Sequence, residues 1–403
     1  MLEMIKRIVK SKGIDRGIQF CITILTIYGI IMIGSSSVGQ TASEGANYAT
    51  MNMIKQIIFV SGGYFMMFLL IRLFKPAILD TKWFGFVFVA GVLSLFACLP
   101  FEAKGSHAWI PLGPFTIQPS EFMKIVMILF CAYYFGEVEQ LCVIPKNIST
   151  QRKEELHGKK IKYCFFQPVL IGFFVFGVIA FLQKDLGSAI ILIFVCMMMF
   201  FMSPRPYYNK LKVTCLGLMG IGAVFIVLVG ALVLKDYQLG RILTWLHPLK
   251  DPLNDGWQLT NSLIAFTSGG LFGRGFGASR QKYGYLPEAH NDFIAAIIFE
   301  ELGLIGFLVF LIPYVYIIYK MFDYGFKIEQ ASSKLILFGI GTYFFTHLLI
   351  NVGGVSGLIP MTGVPLLLIS SGGSSTVAAM CALGLGQSII AKYNRDKLKE
   401  QIS

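Results

Sequence analysis

The chain has 403 residues, of which 55% are hydrophobic and 14% are charged, and its mean hydropathy is +0.69. Soluble globular proteins carry about 25% charged residues, so this composition excludes an ordinary soluble protein. The formal net charge is +12, but the basic residues lie between apolar runs. That placement is typical of a membrane protein whose loops contact lipid headgroups, and it argues against a nucleic-acid partner.

Continuous apolar runs of the ~20 residues needed to cross a bilayer recur along the chain, which predicts helical spans rather than the alternating strands of a barrel. The predicted spans are 17–34, 52–74, 83–100, 119–136, 164–182, 186–202, 214–234, 293–319, 335–352 and 364–391. The predicted fold is an all-α polytopic membrane protein, one membrane domain over 1–403 with about ten transmembrane helices. A long outer loop separates the seventh and eighth spans.

The basic residues are distributed unevenly between the two sides of these spans. Twenty-four of the 34 Lys and Arg residues fall on the side that holds both termini, and eight fall on the other side. Positive loops stay in the cytoplasm, so this asymmetry predicts a bacterial cytoplasmic membrane protein with both termini inside. The basic loop 137–163 is then cytoplasmic, and the loop 235–292 is extracytoplasmic.

The outer loop 235–292 is long for a connection without secondary structure, and such loops are often functional. Its segment LTNSLIAFTSGGLFG is apolar enough to predict a re-entrant helix, which is stable at membrane depth only if it is buried in protein or lines a wet cavity. The loop ends in YGYLPEAHNDF, residues 283–293. This motif places three ionisable groups directly before an apolar span.

Asp292 has two interpretations. Either Asn291 or Asp292 caps a helix that begins at Phe293, or Asp292 is a carboxylate at the floor of an outward cavity, where burial would raise its pKa toward that of a general base. His290 is a candidate proton shuttle or a structural hydrogen-bonding group. Glu288 and Asp292 together are also a possible pair of oxygen ligands for a divalent cation.

A second set of ionisable residues lies inside predicted spans. Glu121 and Lys124 are three residues apart and share one helix face, so a local ion pair is expected. Asp185 enters the sixth span from the outer side. The functional alternative is that all three residues line one polar cavity, in which Lys124 meets an anionic group of a substrate.

Five blocks of sequence carry a family resemblance. They are GSHAWIPLG with QPSEFMK, QKDLGSA, GWQLTNSLIAFTSGGLFGRGFGAS, YLPEAHNDFIAAIIFEELGLIG and GLIPMTGVPLLLISSGGSS. With these blocks in this order, nearly the whole chain resembles the SEDS family, the FtsW, RodA and SpoVE proteins. The chain departs from the family pattern at Ala108, Lys184, Ser188 and Asn291, and in LLLISSGGSS.

The resemblance implies a peptidoglycan glycosyltransferase that polymerises lipid II into glycan strands on the outer face of the membrane. Asp292 matches the carboxylate regarded as essential in the family and is the implied general base. Substrate-binding roles are implied for Glu288, Glu121, Lys124, Asp185, Arg241 and Gln258. The implied partners are a class B penicillin-binding protein and other cell-wall proteins. A divalent cation, Mg²⁺ or Mn²⁺, is left open, and its ligands are not assigned.

Two other functions compete with this enzyme. The intramembrane polar residues also fit a transporter that flips the lipid-linked precursor. However, the ionisable motif and the long loop lie on one side, which favours one-sided chemistry. The third hypothesis is a scaffold that positions a partner synthase, and it predicts that Asp292 is dispensable.

Overall fold

The computed structural model describes residues 13–103, 105–113, 115–138, 149–152, 154, 156, 165–205, 208–220, 243–254 and 256–402. Most of this chain is helical, as the apolar runs predict. The main helices are α1 Arg16–Ser37, α2 Tyr48–Leu73, α3 Lys82–Ala97, α4 Pro119–Ala132, α5 Gln167–Gly177, α6 Leu186–Met202, α7 Trp257–Gly269, α8 Ile294–Lys327, α9 Ala331–Val355 and α10 Gly373–Ile402. Helices α4 and α5 continue as π-type turns, Tyr133–Val138 and Val178–Leu182.

The helices have the lengths and hydropathy of membrane spans. In the described part of the chain, five are long and apolar enough to cross a bilayer: α1, α2, α8, α9 and α10. Three shorter apolar helical segments correspond to predicted spans: α3, α5 with its π-type extension, and α6. The protein is therefore a multi-pass membrane protein. Ten spans remain a prediction, because only 214–220 of the predicted span 214–234 are described, and these are helical.

A short β-hairpin, which the sequence analysis did not predict, lies between α3 and α4. Strand β1 (Ile110–Leu112) pairs antiparallel with strand β2 (Phe115–Ile117), and Ile110 lies opposite Ile117. The Phe115 ring packs edge-on against Phe59 of α2, with their centroids 5.3 Å apart. The hairpin therefore covers one end of the helical bundle.

The last predicted span begins too early. The sequence predicted a span from 364, but α10 begins at Gly373. Pro365 has no N–H to donate, and Leu368 has φ 68°, which is incompatible with a helix. The segment 363–372, which is buried from 366 to 370, is therefore part of an irregular connection between α9 and α10.

Hydrogen bonds identify the two ends of the bundle. At one end, Gln387 of α10 bonds both backbone groups of Asp15, with Nε2 to O at 2.9 Å and N to Oε1 at 3.0 Å. The Tyr324 hydroxyl of α8 donates to Asp15 Oδ2 at 3.0 Å. This end therefore holds the start of α1 and the end of α8, and it is named the inner end below. The start of α8, with Asp292 beside it, is at the opposite end.

Helix α8 is interrupted at Gly303, whose φ is 63° and ψ is −161°. The neighbouring loop replaces the helical hydrogen bonds that the break removes. The N–H groups of Leu304 and Ile305 donate to the carbonyls of Gly270 and Leu271 at 3.0 and 3.2 Å. In return, the N–H groups of the loop residues 274 and 275 donate to the carbonyls of 300 and 301, both at 2.9 Å.

The loop 243–292 therefore forms a hairpin against α8. Helix α7 runs down beside α8, the chain turns near Gly270, and residues 274–292 return to the start of α8. Trp257 stacks on Tyr285 at 5.9 Å near the open end of this hairpin. The segment therefore folds back on itself beside α8, and its re-entry into the membrane stays a prediction.

Candidate active site

Asp292 lies in a turn that precedes α8. The N–H groups of Asn291 and Phe293 both donate to the Glu288 carbonyl, at 3.0 and 3.2 Å. The N-cap residue is Phe293, and no side chain caps the helix there. The prediction that Asn291 or Asp292 caps α8 is therefore wrong, because the turn adds one residue before the helix begins. The carboxylate of Asp292 is half-buried.

The backbone around Asp292 is fixed by side chains from distant parts of the sequence. Asn351 Nδ2 on α9 donates to the carbonyls of both Asp292 and Val364, at 2.9 and 2.8 Å. The Ser370 hydroxyl donates to the Asn291 carbonyl at 2.8 Å. Asp292 is therefore held rigidly between α9 and the segment 363–372.

The carboxylate of Asp292 faces Gly363. A Cβ built on Gly363 would lie 3.3 Å from Asp292 Oδ2, and the φ of Gly363 is 68°. Glycine adopts this conformation without strain and leaves space next to the carboxylate. Gly363 thus forms one wall of the space around the candidate base.

Glu121 and Lys124 form the ion pair that their spacing predicts. Lys124 Nζ lies 2.8 Å from Glu121 Oε1, and the two side chains are 1–2% exposed. Helix α9 completes the network: the Tyr343 hydroxyl donates to Glu121 Oε2 at 3.4 Å, and His347 Nε2 lies 3.3 Å from Lys124 Nζ. The charged atoms of the pair thus face each other and α9.

Asp185 belongs to a neighbouring network. Its Oδ1 accepts from the Ser188 N–H at 3.0 Å and caps α6, and its Oδ2 accepts from Gln118 Nε2 at 2.7 Å. Gln118 precedes the helix that carries Glu121 and Lys124. The hydrogen bonds therefore place the three predicted residues in two adjacent groups.

The segment 362–365 connects these groups to Asp292. A Cβ on Gly187, two residues after Asp185, would lie 3.1 Å from the Thr362 carbonyl. Gly363 borders the Asp292 carboxylate, and the Pro365 carbonyl lies 3.1 Å from His347 Nδ1. This short stretch of backbone thus borders the Asp292 carboxylate and the start of α6, and it reaches the Glu121–Lys124 pair through His347.

The other predicted site residues lie around this centre. Glu288 is half-buried in the same turn as Asp292, and Gln258 is exposed on α7. Arg241 lies outside the described residues. Within the described ranges, no three His, Cys, Asp or Glu side chains are grouped as a metal cage. Magnesium, however, is often held by one or two carboxylates together with substrate phosphates.

A second buried ion pair, which was not predicted from the sequence, lies at the break in α8. Lys282 Nζ lies 2.8 Å from Glu301 Oε1, and both side chains are at most 1% exposed. Glu301 also accepts from the Ser35 hydroxyl at 2.7 Å and from the Gly277 N–H at 3.0 Å. Two adjacent acids in an apolar run were the signal that could have revealed it.

The neighbouring Glu300 binds the same loop. It accepts from the Ser279 hydroxyl at 2.5 Å and from the Arg280 N–H at 3.0 Å, and it pairs with Arg274 at 3.2 Å. The two acids therefore hold the returning half of the loop against α8. One of the bound loop residues, Lys282, is ten residues before Asp292.

The fold and the site define a polytopic helical membrane protein with a fixed carboxylate at one end of its bundle and a buried ion pair beside it. The chain belongs to the FtsW/RodA/SpoVE family, described as "Cell cycle protein", whose model matches residues 16–395. A curated relative, "Probable peptidoglycan glycosyltransferase FtsW" of Bacillus subtilis (strain 168), is 33% identical over 99% of this chain and 96% of its own length. "Stage V sporulation protein E" of the same organism is 34% identical over 75% of this chain and 76% of its own.

Solved structures share the fold. One, described as "Structural coordination of polymerization and crosslinking by a peptidoglycan synthase complex", has a TM-score of 0.69 at 24% identity and covers 96% of this chain and 98% of its own. The crystal structure of Thermus thermophilus RodA, a rod shape determining protein, has a TM-score of 0.61 at 23% identity and covers 95% of this chain and 97% of its own. These matches confirm the predicted family and the helical membrane fold.

Proposed function

We propose that this protein is a peptidoglycan glycosyltransferase that polymerises lipid II on the outer face of the cytoplasmic membrane, with Asp292 as general base. The observation that carries the proposal is the placement of Asp292: a half-buried carboxylate whose backbone is bonded by Asn351 and whose Oδ2 borders Gly363. The names of the curated relatives support the same reaction class.

The reaction assigns one role to each reacting group. Asp292 accepts the proton of the 4-hydroxyl of the acceptor sugar, and that oxygen attacks the anomeric carbon of the lipid-linked donor chain. The bond to the polyprenyl diphosphate breaks, and the diphosphate leaves with the bonding electrons. A single displacement inverts the anomeric centre, so an α-linked donor gives a β-1,4 bond. A positioned base of this kind supplies about 10²–10⁴-fold of the rate.

The leaving diphosphate needs positive charge nearby. Arg274 is one third exposed beside Glu300, and Arg280 and Arg241 belong to the same loop. Glu288 and Gln258 are predicted to contact the sugar or peptide part of the substrate, and Asp185 is predicted to contact the part nearest the membrane. Glu121 and Lys124 are buried and paired, so they support the site from inside the bundle. A divalent cation, Mg²⁺ or Mn²⁺, is the alternative neutralising group.

The test is a polymerisation assay with purified protein in vesicles that contain labelled lipid II, run with Mg²⁺, with Mn²⁺ and with a chelator. A glycosyltransferase gives polymer. Movement of label between leaflets without polymer would support the transporter hypothesis instead. If neither polymer nor movement is detected, the result would support the scaffold hypothesis. Loss of polymer in the chelator, restored by the metal, would establish the cation.

The orientation of the protein in the membrane is a second part of the proposal. Basic residues concentrate at the inner end, where α8 and α10 finish, and the positive-inside rule assigns this end to the cytoplasm. Both termini are then cytoplasmic, and the Asp292 turn opens outward, where the polyprenyl tail can stay in the leaflet.

We expect a membrane-impermeant maleimide to label Tyr283→Cys in intact cells and to label Leu398→Cys only after permeabilisation. Both positions are more than half exposed, at 54% each. The unsubstituted protein measures the background from the native cysteines. The reverse pattern of labelling would contradict the proposed orientation.

A class B penicillin-binding protein is the proposed partner, since its crosslinking activity uses the glycan strands that this reaction makes. The resemblance to a solved synthase complex supports this pairing at the level of the fold. Co-purification of the two proteins from membranes, with an unrelated multi-pass protein as the control bait, is the measurement.

Gly363→Ala is expected to lower the polymerisation rate by about tenfold. The new methyl group lies 3.3 Å from Asp292 Oδ2, and alanine at φ 68° is strained by roughly 1 kcal/mol. Gly113→Ala is the matched control, because Gly113 has φ 62° but no atom within 4 Å of an added Cβ. Equal effects of the two substitutions on rate would show that backbone strain alone explains the loss.

A further inference from the structure

We propose that His347 and Asn351, one turn apart on α9, are positioning residues that couple the buried Glu121–Lys124 ion pair to Asp292. The inference rests on the proposed function and deepens it, because it names the residues that hold the general base in place. Both side chains are buried, at 0 and 3% exposure. The sequence analysis singled out neither of them.

The contacts of His347 fix its tautomer. Lys124 is an ammonium that only donates, so His347 Nε2, 3.3 Å from Lys124 Nζ, must accept. The proton of the neutral imidazole is then on Nδ1, which donates to the Pro365 carbonyl at 3.1 Å. Glu121 holds the ammonium in place from the other side at 2.8 Å. The ion pair therefore determines which atom of His347 binds the segment 362–365.

Asn351 continues the same face of α9. Its Nδ2 carries two hydrogens, and both are used: one binds the Asp292 carbonyl and the other binds the Val364 carbonyl. The carbonyls of Val364 and Pro365 are consecutive in the chain. Successive turns of α9 thus hold two successive peptide groups, next to the Gly363 that borders the Asp292 carboxylate.

This arrangement determines the direction of the carboxylate. Asp292 is attached to α9 through its own carbonyl, and the wall that it faces is attached to α9 through His347 and Asn351. If either attachment is lost, the carboxylate and its wall move relative to each other. A displacement of 1 Å at a reacting group can cost about 10²-fold in rate. The loss therefore falls on turnover rather than on substrate affinity.

The test compares two substitutions of His347 in the lipid II polymerisation assay. A glutamine amide offers one acceptor and one donor, as the neutral imidazole does, so His347→Gln is expected to retain kcat within about threefold. His347→Leu has neither group and is expected to lower kcat by about 10- to 100-fold with KM unchanged. Thr346→Val is the matched control: Thr346 is also buried, and among the described residues its hydroxyl bonds only within α9, to the Thr342 carbonyl.

A purely structural role of His347 would lower the yield and melting temperature of the protein and leave kcat of the folded fraction unchanged. That result, or equal kcat values for the Gln and Leu variants, would overturn the proposal.

If His347→Leu does not fold, the isosteric Asn351→Asp is used, since an ionised carboxylate cannot donate to the two carbonyls. We expect it to lower kcat at least tenfold, and an unchanged kcat would overturn the proposal. The unsubstituted protein in the same assay separates this outcome from failure of the proposed function, in which it too gives no polymer.

Discussion

The Asp292→Asn variant is expected to polymerise lipid II about 10²–10⁴-fold more slowly than the unsubstituted protein. The amide has nearly the size of the carboxylate but cannot accept the proton of the attacking hydroxyl. The hydrogen bond from Asn351 goes to the backbone carbonyl of Asp292, so the substitution leaves this contact in place. The loss is therefore expected in kcat, measured with labelled lipid II in vesicles, and not in folding.

Asp251→Asn is the control for this experiment. Asp251 is an exposed carboxylate in the same loop, and it accepts hydrogen bonds from Asn254 at 3.0 and 3.2 Å. Its substitution removes the same charge without touching the segment 362–365, so its rate is expected to match that of the unsubstituted protein. Substantial glycan synthesis by Asp292→Asn would reject the general-base role of Asp292, although the protein would still be a glycosyltransferase.

The Lys282→Met variant is expected to lose about 3–5 kcal/mol in free energy of unfolding. The substitution leaves the Glu301 carboxylate buried with neutral donors, Ser35 and Gly277, but without its positive partner. Glu301→Gln is expected to have a similar effect, because it leaves the ammonium unpaired. The measurement is the reversible unfolding of each variant in mixed micelles as the fraction of denaturing detergent is increased.

The double variant, Lys282→Met with Glu301→Gln, is expected to be more stable than the sum of the single losses predicts, because no unpaired charge remains. The exposed pair of Lys327 and Asp323 provides the control, with the same 2.7–2.8 Å separation but 51% exposure of the lysine. Lys327→Met is expected to change the free energy of unfolding much less than Lys282→Met does, because water screens an exposed ion pair. Equal effects at the two lysines would contradict the importance of burial.

Local patterns in the sequence predicted the helices and one ion pair. Apolar runs placed most spans within a few residues of the observed helices, because a helix needs no distant partner to satisfy its backbone. The pair of Glu121 and Lys124 followed from a spacing of three residues on one helix. Such features depend on neighbours in the sequence, and a single chain is enough to identify them.

The errors came from contacts between distant residues. Asn351 binds the carbonyl of a residue 59 positions away, and nothing local distinguishes it from any other asparagine in an apolar helix. The irregular segment after α9 resembled the start of a span, because its leucines are as apolar as those of a helix. Its conformation depends on Pro365, on the φ of Leu368 and on hydrogen bonds from α9. The cap predicted at Asn291 or Asp292 is the exception, because the turn from Glu288 that places Phe293 at the helix start is local.

The break at Gly303 has a mechanical consequence for α8. A continuous helix from the outer to the inner end would be stiff, so a displacement at Tyr324 would be transmitted directly to Asp292. At Gly303, the carbonyls of the outer piece bond to the loop instead of to the next helical turn. The outer piece is therefore bonded to the returning loop and to Ser35 of α1, whereas the inner piece bonds Asp15 at the start of α1. We expect this joint to take up part of any tilting of the inner piece, since the helical hydrogen bonds that would transmit the tilt to the Asp292 turn are replaced there by bonds to the loop.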